Sequence, residues 1–283
     1  MSVIQFAPVE PKRGVLRVAG ADRAEFLQGL ISNDIARIPA GGALWAALLT
    51  PQGKYLHDFF VVEDGDTLLL ETEGAGTAAL LRRLSMYRLR SKVTISDVSA
   101  DYTSFVLWGD GVAGDGGSLV FADPRLTALG FRAILPAAAG AAMLAGQGFR
   151  LGDWAEWDRL RVSLGVPDGT RDLIPEKSIL LESGFDELNG VAWDKGCWMG
   201  QELTARTKYR GLVKKRLMPV AFDGEAPPPG TAILTADGGE AGEFRSGTTC
   251  MAIALLRLDA LGGAALSADG RPVQPVRPDW ARW

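Results

Sequence analysis

Apolar positions along the chain switch between a period of two and a helical spacing, and the switches outline its elements. A strand is expected over 14–19. Asp22 and Glu25 then have the spacing of a capping box, with Asp22 accepting from free helix amides. Phe26, Leu27, Leu30 and Ile31 follow on one helical face, and Asn33 and Asp34 close that helix. Strands over 44–49, 55–63 and 67–72 are separated by Pro51-Gln52-Gly53 and Asp64-Gly65-Asp66, the pattern of an antiparallel meander. An amphipathic helix over 78–89 turns Arg82, Arg83 and Arg88 to solvent, and a strand over 92–98 follows. Further strands are expected over 105–108, 119–121 and 131–135, a glycine-rich loop over 109–117 and a helix over 137–145. Asp153 and Glu156 form a second capping box, opening a helix that carries Trp154, Trp157, Leu160 and Leu164. Pro227-Pro228-Pro229-Gly230 favours neither helix nor sheet and reads as a boundary. The short strands after it, 231–235 and 249–256, suggest a small β-barrel. The expected class is α+β, in three parts: an N-terminal α+β subdomain (1–100), a middle one (101–216) and the barrel (217–283).

Composition narrows the function. The 283 residues are 47% apolar, enough for a real core, and the net charge is −4. A chain of that sign is not built to coat DNA or a membrane surface. No apolar run is long enough to cross a bilayer, and the first ten residues lack the pattern of a signal peptide, so a cytoplasmic protein is expected. Charge is concentrated in one place. Between Trp193 and Arg216 lie Lys195, Arg206, Lys208, Arg210, Lys214, Lys215 and Arg216, against only Asp194 and Glu202. Such an island favours one anionic ligand or partner. The two cysteines, Cys197 and Cys250, are far apart and belong to no C-x-x-C pair, so the chain alone assembles neither a zinc site nor a four-cysteine cluster. No resident metal is expected.

The island begins with Lys195-Gly196-Cys197-Trp198-Met199-Gly200-Gln201-Glu202. Two glycines bracket the thiol and permit close backbone approach to a ligand. Lys195 would favour the thiolate if the two side chains converge, and a helix over 201–208 would turn its amides to the same spot. Composition alone favours a plainer reading, a small buried cysteine in a tight turn.

The run from Lys195 to Arg206 closely matches K-G-C-Y/F-x-G-Q-E-x-x-A-R, the signature of the folate-binding YgfZ family. Four further stretches fit that family in the same order: Arg23 to Asp34, Leu49 to Lys54 with Asp58, Tyr87 to Val93, and Arg161 to Pro167 ahead of Pro175 and Glu176. The resemblance spans roughly residues 13 to 216 and is far more specific than a lone glycine motif. It implies the fold of the glycine cleavage aminomethyltransferases (T-proteins), with antiparallel sheets and helices around a central funnel that takes up tetrahydrofolate. It also implies a role in keeping iron–sulfur enzymes active, among them one that modifies transfer RNA. Carried onto this chain, Cys197 is the functional thiol, with Lys195 and Asp58 beside it as catalytic candidates. Trp157, Lys195, Gln201, Glu202, Arg206, Asn33 and Asp34 are candidates for folate. Trp157 fits a pocket wall and a core position equally well by spacing. Arg206 and Arg210 suit the anionic glutamate tail, although a solvated helix face is the commoner setting.

The chain departs from the family at Trp198, which keeps an aromatic ring, and at His57-Asp58. The related transferases carry paired aspartates there, and the missing carboxylate argues against full one-carbon transfer. His57 is the only histidine, and a satisfied structural role suits it best. Three functions remain in view: a folate-binding accessory factor for iron–sulfur assembly or repair, a folate-dependent aminomethyl or methyl transferase, and a module docking an acidic partner on the basic island. In the first, Cys197 is a transient cluster ligand, a sulfur relay or a redox group. The expected partners are folate and iron–sulfur client or assembly proteins, and the chain itself is expected to be a monomer.

Overall fold

The computed structural model describes residues 4–109, 119–263 and 265–283. Most of the glycine-rich 109–117 stretch lies outside the described residues. The chain packs as two compact units. One comprises Met1–Thr50, Leu56–Trp157 and Asn189–Met199; the other comprises Pro51–Tyr55, Asp158–Leu188 and Gly200–Trp283.

The first unit contains two five-stranded sheets. One has the spatial order Ala43–Leu49, Tyr55–Asp64, Thr67–Glu73, Arg13–Ala19, Thr94–Asp97. Its first three strands are the expected meander. The helices Arg23–Gln28 and Thr77–Tyr87 cover it, placing Phe26, Leu27, Leu80 and Leu84 against Leu16, Val18, Leu68 and Leu70. The longer helix starts hard against a strand, where a Cβ on Gly14 would lie 1.9 Å from Thr77 Oγ1. The other sheet runs Arg150–Leu151, Gln5–Pro8, Tyr102–Trp108, Phe131–Pro136, Val120–Ala122, with only the first pair parallel.

Local details differ from expectation for identifiable reasons. The helix after Asp22 is short, ending at Gln28 rather than Asn33. The Asp22 carboxylate makes no cap; it accepts instead from the Lys92 amide at 2.7 Å. Asp34 caps a separate turn, Ile35–Arg37, by accepting from Ala36 N. Asp153 does cap its helix, accepting from the Ala155 amide at 2.9 Å. The helix expected from 137 begins at Gly140, because the preceding alanines form a turn in which Ala139 N donates to Pro136 O.

A buried charge network links the two sheets of this unit. Glu71 is fully buried on Thr67–Glu73; Arg13 Nε donates to it at 2.8 Å and Arg132 Nη2 at 2.8 Å. Arg132 belongs to the second sheet and lies 4.2 Å from the centre of the Phe60 ring. Burial alone would raise the Glu71 carboxyl, but Arg132 and Arg13 outweigh it and hold the group below its ordinary value.

The second unit holds a closed six-stranded barrel, in the order Lys215–Ala221, Met251–Arg257, Glu240–Thr248, Ala232–Thr235, Leu266–Ala268, Arg271–Pro275. Pairing of Val220 with Pro275 closes it around Met218, Val220, Ile233, Phe244 and Leu256. The Pro227–Gly230 run connects the first two barrel strands in sequence, and the Gly230 amide donates to Phe244 O.

Removing one partner from a buried ion pair strands the other. Glu71→Ala leaves Arg13 and Arg132 facing each other and is expected to lower stability by about 3–5 kcal/mol in urea unfolding. The depressed Glu71 value also fixes the sign with pH. Its contribution is fully present above the ordinary value of 4.5 and disappears as pH falls through the lower folded value. The Ala variant is therefore expected to lose part of the wild type's acid sensitivity.

Candidate functional site

The Asn189–Met199 segment is fastened to the loop after the first helix by side chains from both. Ser32 Oγ donates to Gly190 O at 2.6 Å and accepts from Ala47 N at 2.9 Å, while Ala192 N donates to Ser32 O. Asn33 Nδ2 donates to Trp45 O at 2.8 Å and to Asn189 O at 2.7 Å. Asp34 is equally occupied, accepting from Gln28 Nε2 at 2.8 Å and from the Ala36 amide. Arg37 pairs closely with Asp194.

Lys195 is the centre of this clasp. Its Nζ donates to the main-chain carbonyls of Gln28, Ile31 and Asn33 at 2.7, 2.9 and 2.6 Å. An ammonium has three protons to donate, so all are used. Burial pulls the lysine down to about 8, with Asp34 acting in the opposite direction, and the amine stays mainly protonated at neutral pH. The convergence with the thiol that would let Lys195 favour the thiolate is therefore not made: three carbonyl oxygens hold its ammonium inside the unit.

Exposure alternates across the next residues. Lys195 is buried, Gly196 and Cys197 are exposed, and Trp198 is buried again at 5%. Met199 packs on the sheet core, its amide donating to Gly29 O at 3.2 Å. Cys197 is thus a free, exposed thiol on a short arch pinned on both sides, not the buried cysteine that composition favours. The Trp198 Nε1 is buried without a hydrogen-bond partner, a cost the ring's packing must offset.

Asp58 and Trp157 make hydrogen bonds of their own within the first unit. Asp58 is buried and accepts from Trp45 Nε1 at 2.9 Å. His57 is held below its ordinary value by burial and by Arg83, against the pull of Asp58. Trp157 is 2% exposed, stacks on Trp154 and donates to Leu129 O, so the core reading of its spacing holds. Gln201, Glu202 and Arg206 lie on the helix Gln201–Tyr209 of the second unit, where Arg206 pairs with Glu202. Part of the basic island is neutralised locally: Lys208 pairs with Asp186 and Arg216 with Glu187. Arg161 is a buried strut of the second unit, bonded to Asp158, Asp172, Val166 O and Ser246 Oγ.

That unit also holds a pocket the sequence did not single out. It measures about 280 Å3 and is lined by Lys177, Ser178, Glu182, Lys215 and Arg245, among others. Arg245 is buried, bonded to Glu243 through Nη2, and its Nε has no partner. Burial raises the Glu182 carboxyl against the pull of Lys215, Lys54 and Arg216. A protonatable carboxyl beside two lysines and an under-used guanidinium suits an anionic ligand with hydrogen-bonding edges. No local spacing signals it, because its residues come from three stretches. Glu176, which follows Pro175, is exposed in a left-handed turn at φ 63°.

Comparison with known proteins gives a consistent picture. Residues 12–113 match the GCVT N-terminal domain, and residues 214–283 the C-terminal β-barrel domain of CAF17. The mitochondrial iron–sulfur cluster assembly factor IBA57 of Homo sapiens is 35% identical, covering 95% of this chain and 83% of the human protein. The Mus musculus factor is 33% identical with the same coverage, and the Mycosarcoma maydis homologue is 30% identical over 96% of this chain and 83% of its own. Among solved structures, the glycine cleavage aminomethyltransferase T of Bartonella henselae superposes with a TM-score of 0.78 at 15% identity, over 97% of this chain and 85% of that one. The T-protein-like fold with a terminal barrel is therefore as expected. The cytoplasmic expectation is corrected: these relatives are mitochondrial. It rested on features the first residues lack, which do not fix a compartment.

Lys195→Met keeps the length of the side chain and removes its donors. It is expected to leave three carbonyls unsatisfied and cost on the order of 3 kcal/mol in urea unfolding, with faster hydrogen exchange at the Met199 amide. Lys195→Arg is expected not to restore the wild type, because a planar fork cannot reproduce three converging bonds.

Proposed function

Because the chain belongs to the family of IBA57 iron–sulfur cluster assembly factors, we propose that it assists the assembly or repair of iron–sulfur clusters in client enzymes, with Cys197 as its working thiol. The exposed sulfur on a pinned arch carries this reading. A thiolate is a natural iron ligand, and a fixed backbone presents it at low entropic cost. Among the described residues no group of three histidine, cysteine or acidic side chains gathers at a site. A cluster passing through Cys197 therefore takes its remaining ligands from the protein that delivers or receives it. Radical enzymes that modify transfer RNA are the client class we favour.

Tetrahydrofolate is the small ligand of this proposal. The pocket at Glu182 supports it: Lys177, Lys215 and the unpartnered Nε of Arg245 suit the carboxylates of the glutamate tail, and the Glu182 carboxyl, raised by burial, can donate a hydrogen bond to them when protonated. At about 280 Å3 it takes one end of a folate rather than the whole molecule. When bound, folate supplies a carrier for a one-carbon unit. A complete transferase is less well supported, since Asp58 already accepts from the Trp45 indole and its neighbour is a histidine.

Cys197→Ser is expected to reduce the activity of client cluster enzymes several-fold in cells while the purified variant melts like the wild type. Undiminished client activity removes the thiol from the mechanism. Tetrahydrofolate is expected to raise the melting temperature of the wild type, as any ligand specific to the native state must, and not that of a Glu182→Ala, Lys215→Ala variant. A wild type without a shift removes folate.

A further inference from the structure

The helix Thr77–Tyr87 buries Leu80 and Leu84 and ends in a knuckle that faces outward. Met86 is 67% exposed and Leu89 87% exposed, among the most exposed large apolar side chains described. Leu89 sits at φ 42°, a left-handed conformation that a leucine adopts only under strain. The same stretch of chain carries Arg82, Arg83, Arg88, Arg90 and Lys92, with no acidic residue between Gly74 and Lys92 in sequence. None of the five makes an ion pair among the described residues. On a chain of net charge −4 this is a concentrated run of cations with two exposed apolar side chains in it.

A groove adjoins the knuckle. It measures about 440 Å3 and is lined by Phe26, Gly29, Leu30, Tyr87 and Arg90, with Asp22 and Glu25 among its walls. Gly29 ties it to the arch, since its carbonyl accepts the amide of Met199, two residues beyond the thiol.

We propose that this knuckle and groove are the docking surface for an acidic protein partner, which seats an apolar side chain in the groove and surrounds Met86 and Leu89 with carboxylates. The inference rests on the cluster-assembly reading and names the kind of partner that reading requires beside Cys197. Charge complementarity identifies the occupant. Five unpaired cations call for acidic groups, and two exposed apolar side chains beside a concave wall call for a folded protein surface with an anchor. Of the two aromatic rings at the site, Phe26 is buried and Tyr87 half-buried, so neither offers an open stacking platform for bases.

The test uses the full chain and three probes: a synthetic helical peptide with leucines on one face flanked by glutamates, phosphatidylcholine–phosphatidylglycerol vesicles, and polyuridylate. The peptide is expected to bind with an affinity that falls with salt. Leu89→Ser is expected to weaken it about tenfold, and Arg88→Glu with Arg90→Glu more than that. Both variants are expected to melt like the wild type and to keep Cys197 open to alkylation. Peptide binding insensitive to both variants, or tighter binding to vesicles or to polyuridylate than to the peptide, overturns the proposal. The readout needs neither cluster nor folate. Loss of client activity in Cys197→Ser with an unaffected peptide response contradicts the docking surface alone, whereas a knuckle-dependent response with an inert Cys197→Ser contradicts the cluster reading alone.

Discussion

The three carbonyl bonds of the Lys195 ammonium set the geometry on which the thiol depends. A lysine this far inside a protein normally gives up stability to desolvation, and its lowered value near 8 records that cost. Convergent carbonyls offset it by replacing water as acceptors. Because the acceptors are main-chain atoms of the loop following a short helix, the bond network fixes backbone to backbone across some 160 residues of sequence. Trp198 supplies the second anchor. Cys197, between the two, is exposed with little freedom to wander, which is the condition a transient ligand needs: reachable, yet with its ordering entropy already spent in folding.

The same logic recurs elsewhere in the molecule with charges in place of carbonyls. Glu71 is held by two arginines from different strands, and Arg161 by two aspartates, a carbonyl and a hydroxyl. Both are satisfied, buried and structural. The chain therefore spends polar residues of its family-like stretches, including Asn33-Asp34 and the arginine of the Arg161–Pro167 run, on holding loops in place. Among the described residues, the groups left under-used include the exposed thiol, the Nε of Arg245 and the cationic knuckle around Leu89.

Much of the fold was legible in the sequence because its signals are local. The meander from Ala43 to Glu73 follows from alternation and two turns, and the Asp153 cap forms as its spacing suggests. Where the reading failed, a distant partner intervened. Asp22 has cap spacing, but the Lys92 amide competes for its carboxylate. Lys195 stands two residues from the thiol, yet carbonyls more than 160 positions away take its protons. Trp157 fitted both a wall and a core, and only tertiary packing separates the two. The pocket at Glu182 draws on residues near 180, 215 and 245, so no window of sequence contains it.

The most direct measurement of the central claim is site-resolved alkylation of the native protein, with peptide mapping to separate Cys197 from the also exposed Cys250. Cys197 is expected to react under native conditions at a rate comparable with that of the denatured chain, without prior unfolding. A Cys197 protected until the protein unfolds would contradict it.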